Sequence, residues 1–249
     1  MTQANNAKEK TEEAEVEELR KLTQGEAATH LEEYEYTDAN GEKVNIPAEC
    51  AVSQVEGENT VENGLVIIDS NGNEWVWIKV PKNEMPEGLS FENEEDYTTL
   101  ETALQTYTAD YRESGYTDTW YNGCGLGEEE YVNLKQDMLK SVYRNGGFYI
   151  GRYEVGSFDN PVNSNDNTRT AVIQANAFSY GYVTCGQSQQ LAVKLAIRGK
   201  TTSLMFGIQW DLVCKYIEEN AVKLGTTLFT TFSFINSFFY DVYFYFYIY

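Results

Sequence analysis

Alternating apolar and polar positions predict two β-hairpins in the first third of the chain. Residues 34–46 alternate around Asn40-Gly41, and residues 65–68 and 75–80 flank a second pair, Asn71-Gly72. Asn-Gly favours the positive φ angles that tight hairpin turns require. A third stretch with partial alternation, 148–156, predicts another strand, expected to join the hairpin at 65–80 in one sheet.

Apolar positions at helical spacing predict five helices. Residues 1–24 hold no Gly or Pro and are expected to form a charged helix that ends at Gly25. A short helix is predicted within 98–109 and a longer one over 128–144, with Gly146 as its stop. Thr184 and Gln187 match a capping box before a helix over 187–198, and another helix is predicted over 207–219. The last two helices are expected to turn four side chains inward: Leu191, Leu195, Trp210 and Ile217.

These elements predict the α+β class and three segments. The first is a charged helix at 1–25. The second is a domain at 34–228, which contains a long acidic, irregular insertion at 81–127. The third is a tail at 229–249, where 12 of 21 residues are aromatic. This tail is typical of out-of-frame low-complexity sequence. Lacking partners, it is expected to lower solubility, so a chain ending at Thr227 is expected to be more soluble.

The charge of the chain narrows the choice of partners. The formal net charge is −21, and residues 1–130 alone carry −23 because they hold 31 acids and 8 bases. Such a field disfavours binding to nucleic acid and to anionic membrane surfaces. The sequence as given shows no apolar secretory leader and no run of about 18 apolar residues that would span a bilayer.

Candidate catalytic chemistry is sparse. His30 is the one histidine, so neither a Ser/His/Asp set nor a multi-histidine iron site can be assembled. The cysteines stand far apart, at Cys50, Cys124, Cys185 and Cys214, with no CxxC pair. Their spacing is compatible with free thiols or with up to two disulfides. Buried free thiols without a functional disulfide are the favoured interpretation.

Three polar motifs have weak functional interpretations. Asp69-x-Asn71-x-Asn73 resembles part of a calcium loop, but a hairpin turn explains it better. Gly123-x-Gly125-x-Gly127 follows no strand, so a phosphate cradle is not expected. A polar loop could hold a hard cation, although loop composition also explains its members: Asp159, Asn160, Asn163, Asn165, Asp166 and Asn167.

Four phrases in order carry a family resemblance: residues 46–81, GGFYIGRYEVG (146–156), YVTCGQSQQLA (182–192) and TTSLMFGIQWDLVCKYIE (201–218). They resemble the formylglycine-generating-enzyme-like (sulfatase-modifying-factor) domain of bacterial surface proteins, over roughly residues 44–222. The resemblance implies a C-type-lectin-like mixed core, here incomplete. In that family a copper-binding cysteine pair lies in the C-terminal third. No cysteine follows Cys214, so no catalytic or cofactor-binding residue is carried over.

The N-terminal segment TQANNAKEKTEEAEVEEL resembles the stretch that follows the apolar helix of type IV pilin-like proteins of Gram-positive bacteria; an ordinary charged helix is the alternative. Together the two resemblances imply a non-catalytic protein of the bacterial cell surface, here a truncated or frameshifted copy. An extracellular protein or a glycan is the expected ligand, with pilin-like subunits as possible neighbours of the helix. The alternative is an oxidoreductase of the formylglycine-generating type whose active-site half is missing.

Overall fold

The computed structural model describes residues 3–111, 118–159, 168–224 and 246–248. Over those ranges the protein has a mixed α+β fold. The helices are α1 (Gln3–Ala27), α2 (Glu94–Tyr107), α3 (Glu128–Asn145), α4 (Cys185–Lys194) and α5 (Gly207–Leu224). The strands are β1 (Tyr34–Thr37), β2 (Lys43–Ile46), β3 (Cys50–Val52), β4 (Val66–Asp69), β5 (Glu74–Lys79), β6 (Gly147–Gly151), β7 (Gly156–Ser157), β8 (Phe178–Ser179), β9 (Thr202–Leu204) and β10 (Phe246–Ile248).

A six-stranded sheet in the order β3-β4-β5-β6-β10-β9 organises the fold, and its neighbouring strands are antiparallel. Both predicted hairpins are confirmed: β1 pairs with β2 across Asn40-Gly41, and β4 pairs with β5 across Asn71-Gly72. The predicted strand at 148–156 is shorter and ends at Gly151. Its central position explains the imperfect alternation, because both of its faces are buried.

Each face of the sheet supports its own apolar core. Val76 and Ile78 of β5 point into the core that α2, α3 and α5 cover. Trp75 and Trp77, on the alternate positions, point into a second core, which includes Leu191 and Ala192 of α4. The period-two alternation of β5 therefore places one set of side chains in each core.

The helix boundaries confirm most capping predictions and correct two ends. Gln187 N donates to Thr184 Oγ1 over 3.3 Å and Thr184 N donates to Gln187 Oε1 over 2.9 Å, as a capping box requires. Gly146 ends α3 with a φ of 72°. However, α1 continues through Gly25 to Ala27, and α4 ends at Lys194 rather than at 198. Gly25 does not end α1 because the last turn gains tertiary contacts, with Gln24 Nε2 donating to Ser70 O over 3.1 Å.

The face of α5 that enters the core differs in part from the expected one. Leu191 and Leu195 are buried as predicted, whereas Trp210 and Ile217 are only half-buried. Over residues 207–220, the buried apolar positions of α5 are Ile208, Leu212, Val213 and Tyr216. The helix is therefore rotated about its axis relative to the prediction. Packing against the sheet, rather than the size of the Trp210 side chain, determines which face of α5 is buried.

Two segments outside the predicted core form regular secondary structure. The acidic stretch 81–127 contains α2, and its Leu100 and Leu104 are fully buried, so this part is not an irregular insertion. In the aromatic tail, residues 246–248 form β10, which pairs with both β6 and β9. The expectation that the tail lacks partners therefore does not hold for these three residues. The rest of the tail lies outside the described residues.

Four charged side chains attach α1 to the sheet, and we call them the four-charge cluster: Arg20, Glu58, Glu74 and Arg152. Arg20 contacts Glu74 at 2.6 Å and Glu58 at 2.9 Å. Arg152 contacts Glu58 at 2.7 Å and Glu74 at 2.9 Å. The four side chains are only 5–16 % exposed. Two positive and two negative groups thus neutralise each other at the junction of α1, β5 and the end of β6.

Candidate functional site

A groove of about 770 Å³ opens beside the C-terminal end of β5. Besides the end of β5, its lining comes from five chain segments: the β1–β2 turn, residues 61–62, residues 81–83, the C-terminal end of α3 and the part of α5 at residues 216–220. Trp77 and Tyr216 lie at its base, each about 5 % exposed. Tyr216 Oη donates to Val61 O over 3.1 Å and holds α5 against the loop before β4. The base of the groove is therefore packed, and its polar groups stand around the rim.

The groove has balanced charge in a strongly acidic protein. Its lining holds three carboxylates, Glu42, Glu62 and Glu219, and three lysines, Lys43, Lys79 and Lys82. Lys79 Nζ lies 3.0 Å from Glu42 Oε2, and Lys82 Nζ donates to Arg144 O over 3.2 Å. Four amides add donors and acceptors: Asn40, Asn83, Asn145 and Asn220. Many neutral hydrogen-bonding groups without an excess of either charge favour an uncharged polar ligand.

Asp38 fixes the turn that forms one wall of this groove. Its carboxylate accepts from Asn40 N at 2.8 Å, Glu42 N at 2.9 Å and, across the groove's edge, Val61 N at 2.9 Å. Burial raises the pKa of this carboxyl, but the backbone N–H donors outweigh burial and the pKa is lowered overall. The ionised form is therefore the one that holds the wall in place.

The substitution Asp38→Asn is expected to lower the free energy of unfolding by about 1–2 kcal/mol at pH 7, because the amide cannot accept all three hydrogen bonds. A group with a lowered pKa stabilises the fold above its ordinary pKa, and that contribution is lost as the pH falls. The gap between the two proteins should therefore narrow below about pH 4. Urea unfolding at pH 7 and pH 3.5 measures it, and a gap that widens in acid would contradict this role.

A second, smaller cleft of about 260 Å³ brings together residues far apart in sequence. The loop at 118–127, the start of α4 and the segment between β9 and α5 form it. Cys124 and Cys185 both line it, and Cys185 Sγ lies 4.0 Å from Cys124 O. Cys124 and Cys185 are far apart in the sequence, so their spacing did not predict that they would line the same cleft.

Tyr121 lines the same cleft and interacts with both thiols. Its hydrogen bond with Cys185, together with burial and the proximity of both thiols, raises the pKa of Tyr121 to about 12. The phenol therefore remains protonated at neutral pH and can serve as a hydrogen-bond donor. In the same loop, Asp118 accepts from Gly207 N at 2.8 Å and from Ile208 N at 3.0 Å, which caps α5.

The remaining sequence candidates have structural roles where they are described. Asp69 is buried, and its carboxylate accepts from Asn71 N, Asn73 N, Asn73 Nδ2 and Trp75 Nε1 at 2.9–3.3 Å. These donors occupy the oxygens that a calcium ion would need, so the hairpin-turn interpretation stands. His30 stacks on Tyr34 with ring centroids 4.6 Å apart, and its Nε2 lies 3.5 Å from Glu26 Oε1.

The glycine motif and the polar loop give no ligand site over the described ranges. Gly125 packs against Gly186, while Gly127 precedes α3 and its N–H donates to Glu130 Oε2 over 3.2 Å. Of the polar loop, Asp159 is described and bonds with Ser157; residues 160–167 lie outside the described ranges. Among described residues, no group of three or more His, Cys, Asp or Glu could hold a metal ion. No helix in the described ranges is long and apolar enough to cross a bilayer.

No family model, curated protein or solved structure matches this chain. The two resemblances drawn from short phrases therefore stay predictions.

Proposed function

We propose that this protein is a non-catalytic binding protein whose groove, at the C-terminal end of β5, takes a neutral glycan. The observation that supports this proposal is the balanced, amide-rich lining of a groove of about 770 Å³ in a chain of net charge −21. That volume lies within the range typical of small-molecule sites. A charged ligand would meet carboxylates and lysines in equal number, so neither sign gains a net attraction.

Sugar hydroxyls suit such a lining because each hydroxyl both donates and accepts a hydrogen bond. Carboxylates such as Glu42 and Glu219 can accept from a sugar, and the side-chain amides of Asn83 and Asn145 can do both. Asn83 and Asn145 are exposed at the rim, so they can reach a ligand without unfolding the base.

Cell-surface display is part of this proposal and draws support from the charged N-terminal helix. Glu12, Glu13 and Glu15 of α1 are exposed, whereas the last turns of the helix are attached to the sheet through Arg20. A helix held at one end can present the domain away from a pilin-like assembly. The strongly acidic field around it disfavours nucleic acid as a partner.

Binding should be measured by calorimetric titration with neutral tetrasaccharides such as chitotetraose and cellotetraose, beside a sialylated and a sulfated oligosaccharide. A neutral sugar is expected to bind, and Asn83→Ala and Asn145→Ala should each weaken it about 5–10-fold, the value of one hydrogen bond. Asn133→Ala is the matched control, because Asn133 is exposed on the same helix α3 but does not line the groove. Binding of charged glycans alone, or equal affinity in all variants, would contradict the proposal.

An oxidoreductase of the formylglycine-generating type is the second candidate, favoured by the approach of Cys124 and Cys185. Thiolates are the ligand type that Cu(I) prefers, and this pair offers two. The discriminating assay incubates the protein with Cu(I), oxygen and a cysteine-containing sulfatase peptide. Turnover that disappears in Cys185→Ser would support the enzyme, whereas absence of turnover with intact glycan binding would support the binding protein.

A further inference from the structure

The backbone next to Cys124 is in direct contact with the backbone next to Cys185. A Cβ built on Gly125 would lie 2.7 Å from Gly186 Cα, closer than any side chain allows. A Cβ built on Gly186 would meet Gly125 Cα at 3.3 Å and Gly123 O at 3.5 Å. Gly186 thus faces the two residues that flank Cys124, and glycines at 125 and 186 are what permit this approach. The two cysteines are therefore held side by side by the backbone.

The two sulfur atoms differ in access. Cys185 is the first residue of α4, is half-buried and lines the cleft, and its Sγ points toward Cys124 O at 4.0 Å. Cys124 is only 6 % exposed, and its Sγ donates weakly to Leu126 O over 3.6 Å. Formation of a disulfide would require a rotation about the Cα–Cβ bond of Cys124 that releases this weak contact. Cys185 Sγ can therefore react first with a reagent that enters from solvent, and Cys124 Sγ reacts second.

We propose that Cys124 and Cys185 form a reversible disulfide site that reacts with low-molecular-weight disulfides of the glutathione class. The other two cysteines do not compete. Cys50 is fully buried in the second core. Cys214 is half-buried on α5, and burial raises the pKa of its thiol to about 11, which leaves little thiolate at neutral pH.

The reaction is two successive thiol–disulfide exchanges. The Cys185 thiol loses its proton to solvent, and its sulfur attacks one sulfur of the small disulfide; this forms a mixed disulfide and releases one small thiolate, which takes up a proton. The Cys124 thiol then loses its proton, and its sulfur attacks Cys185 Sγ, which releases the second small thiolate. The protein loses two protons and two electrons in total, and the small disulfide gains them to become two thiols.

A disulfide between Cys124 and Cys185 would join the loop at 118–127 covalently to α4, and both segments line the cleft. The loop that carries Cys124 also carries Asp118, whose carboxylate caps α5. A bond between residues 124 and 185 closes a loop of about 60 residues and restricts the unfolded chain. We expect the oxidised protein to melt on the order of 5–10 °C above the reduced protein.

The test uses the full chain under native conditions. Reduced protein is incubated with oxidised glutathione, alkylated, digested without reductant and analysed by mass spectrometry. The expected product is a peptide pair joined through Cys124 and Cys185, with two of the four thiols consumed and with reversal by dithiothreitol. Recovery of the folded protein with all four thiols alkylated, or with other cysteine pairs joined to the same extent, would overturn the proposal.

Single variants separate the roles of the two sulfurs. Cys124→Ser should stop at a mixed glutathione disulfide on Cys185, because the second thiol is missing. Cys185→Ser should take up no glutathione while folded, and Cys214→Ser should behave as the parent protein does. Circular dichroism before treatment identifies any variant that does not fold, and the peptide map of the parent protein decides the proposal without the variants.

Discussion

The substitution Arg152→Met is expected to lower the free energy of unfolding by about 3–5 kcal/mol. Arg152 contacts both carboxylates of the four-charge cluster, at 2.7 Å from Glu58 and 2.9 Å from Glu74. Methionine fills most of the volume but leaves two carboxylates, 12 % and 5 % exposed, opposite Arg20 alone. One negative charge would then be buried without a partner, and such a charge is much more costly than an exposed one.

Chemical denaturation of the two proteins at pH 7 measures this loss. Lys21→Met is the matched control, because Lys21 neighbours Arg20 on α1 but makes an exposed pair with Glu17 at 3.3 Å, with both side chains over 60 % exposed. That control should change stability by less than about 0.5 kcal/mol. Equal effects of the two substitutions would show that the buried cluster contributes no more than a surface pair.

The loss of stability caused by Arg152→Met should depend on pH. Burial raises the pKa of Glu58, but Arg152, Ser53 and Arg20 outweigh burial, so the pKa is lowered overall. Its contribution to stability is therefore present at neutral pH and is lost as the pH falls. Without Arg152 the pKa of Glu58 rises, and protonation then removes the unpaired charge. The difference in stability between Arg152→Met and the parent protein should narrow between pH 7 and pH 4.5, and a constant difference would contradict this account.

The substitution Tyr247→Pro is expected to cost about 3 kcal/mol or more and to reduce the cooperativity of unfolding. Residue 247 is the middle of β10 and pairs with Ile150 on one side and Ser203 on the other. Proline has no N–H and is excluded from strands that are paired on both sides. The loss would separate β9 from the rest of the six-stranded sheet.

Thermal unfolding followed by circular dichroism measures this effect, with Tyr247→Val as the control because valine keeps the backbone N–H and favours strands. The difference between the two variants reports the backbone pairing of β10. Identical unfolding of both variants would show that this strand contributes nothing to the sheet. The pairing also bears on a chain ending at Thr227: such a chain lacks β10 and leaves β6 and β9 with open edges, which promote aggregation.

Much of the local structure was predictable because its causes lie within a few residues. Asn40-Gly41 and Asn71-Gly72 specify their turns through the φ preferences of glycine, and Thr184 with Gln187 begins α4 through two short-range hydrogen bonds. The α+β class follows from these elements. The charge of −21 needs only counting, and it suffices to disfavour nucleic acid as a partner.

The sequence predicted a short helix near α2 but not its place in the core, and it did not predict β10, because both depend on partners distant in the chain. Leu100 and Leu104 belong to an acidic segment, and their burial shows only when the sheet supplies apolar neighbours. The last strand pairs with residues about 40 and 100 positions earlier, at Ser203 and Ile150. The amino-acid composition of the tail does not reveal which strands it pairs with. From its many aromatic residues alone, the sequence predicted only that the tail lowers solubility.

The candidate sites depend most strongly on contacts between residues that are distant in sequence. The groove exists because the β1–β2 turn, the end of α3 and α5 meet at the end of β5, and Asn83 and Asn145 have no common motif that would predict it. Cys124 and Cys185 meet because two glycines let a loop and a helix approach more closely than side chains allow. The sequence by itself determined the turns, the caps and the acidic field through local interactions. The tertiary structure decided the four-charge cluster, the groove and the thiol pair, because only the packed fold brings residues so distant in sequence close together.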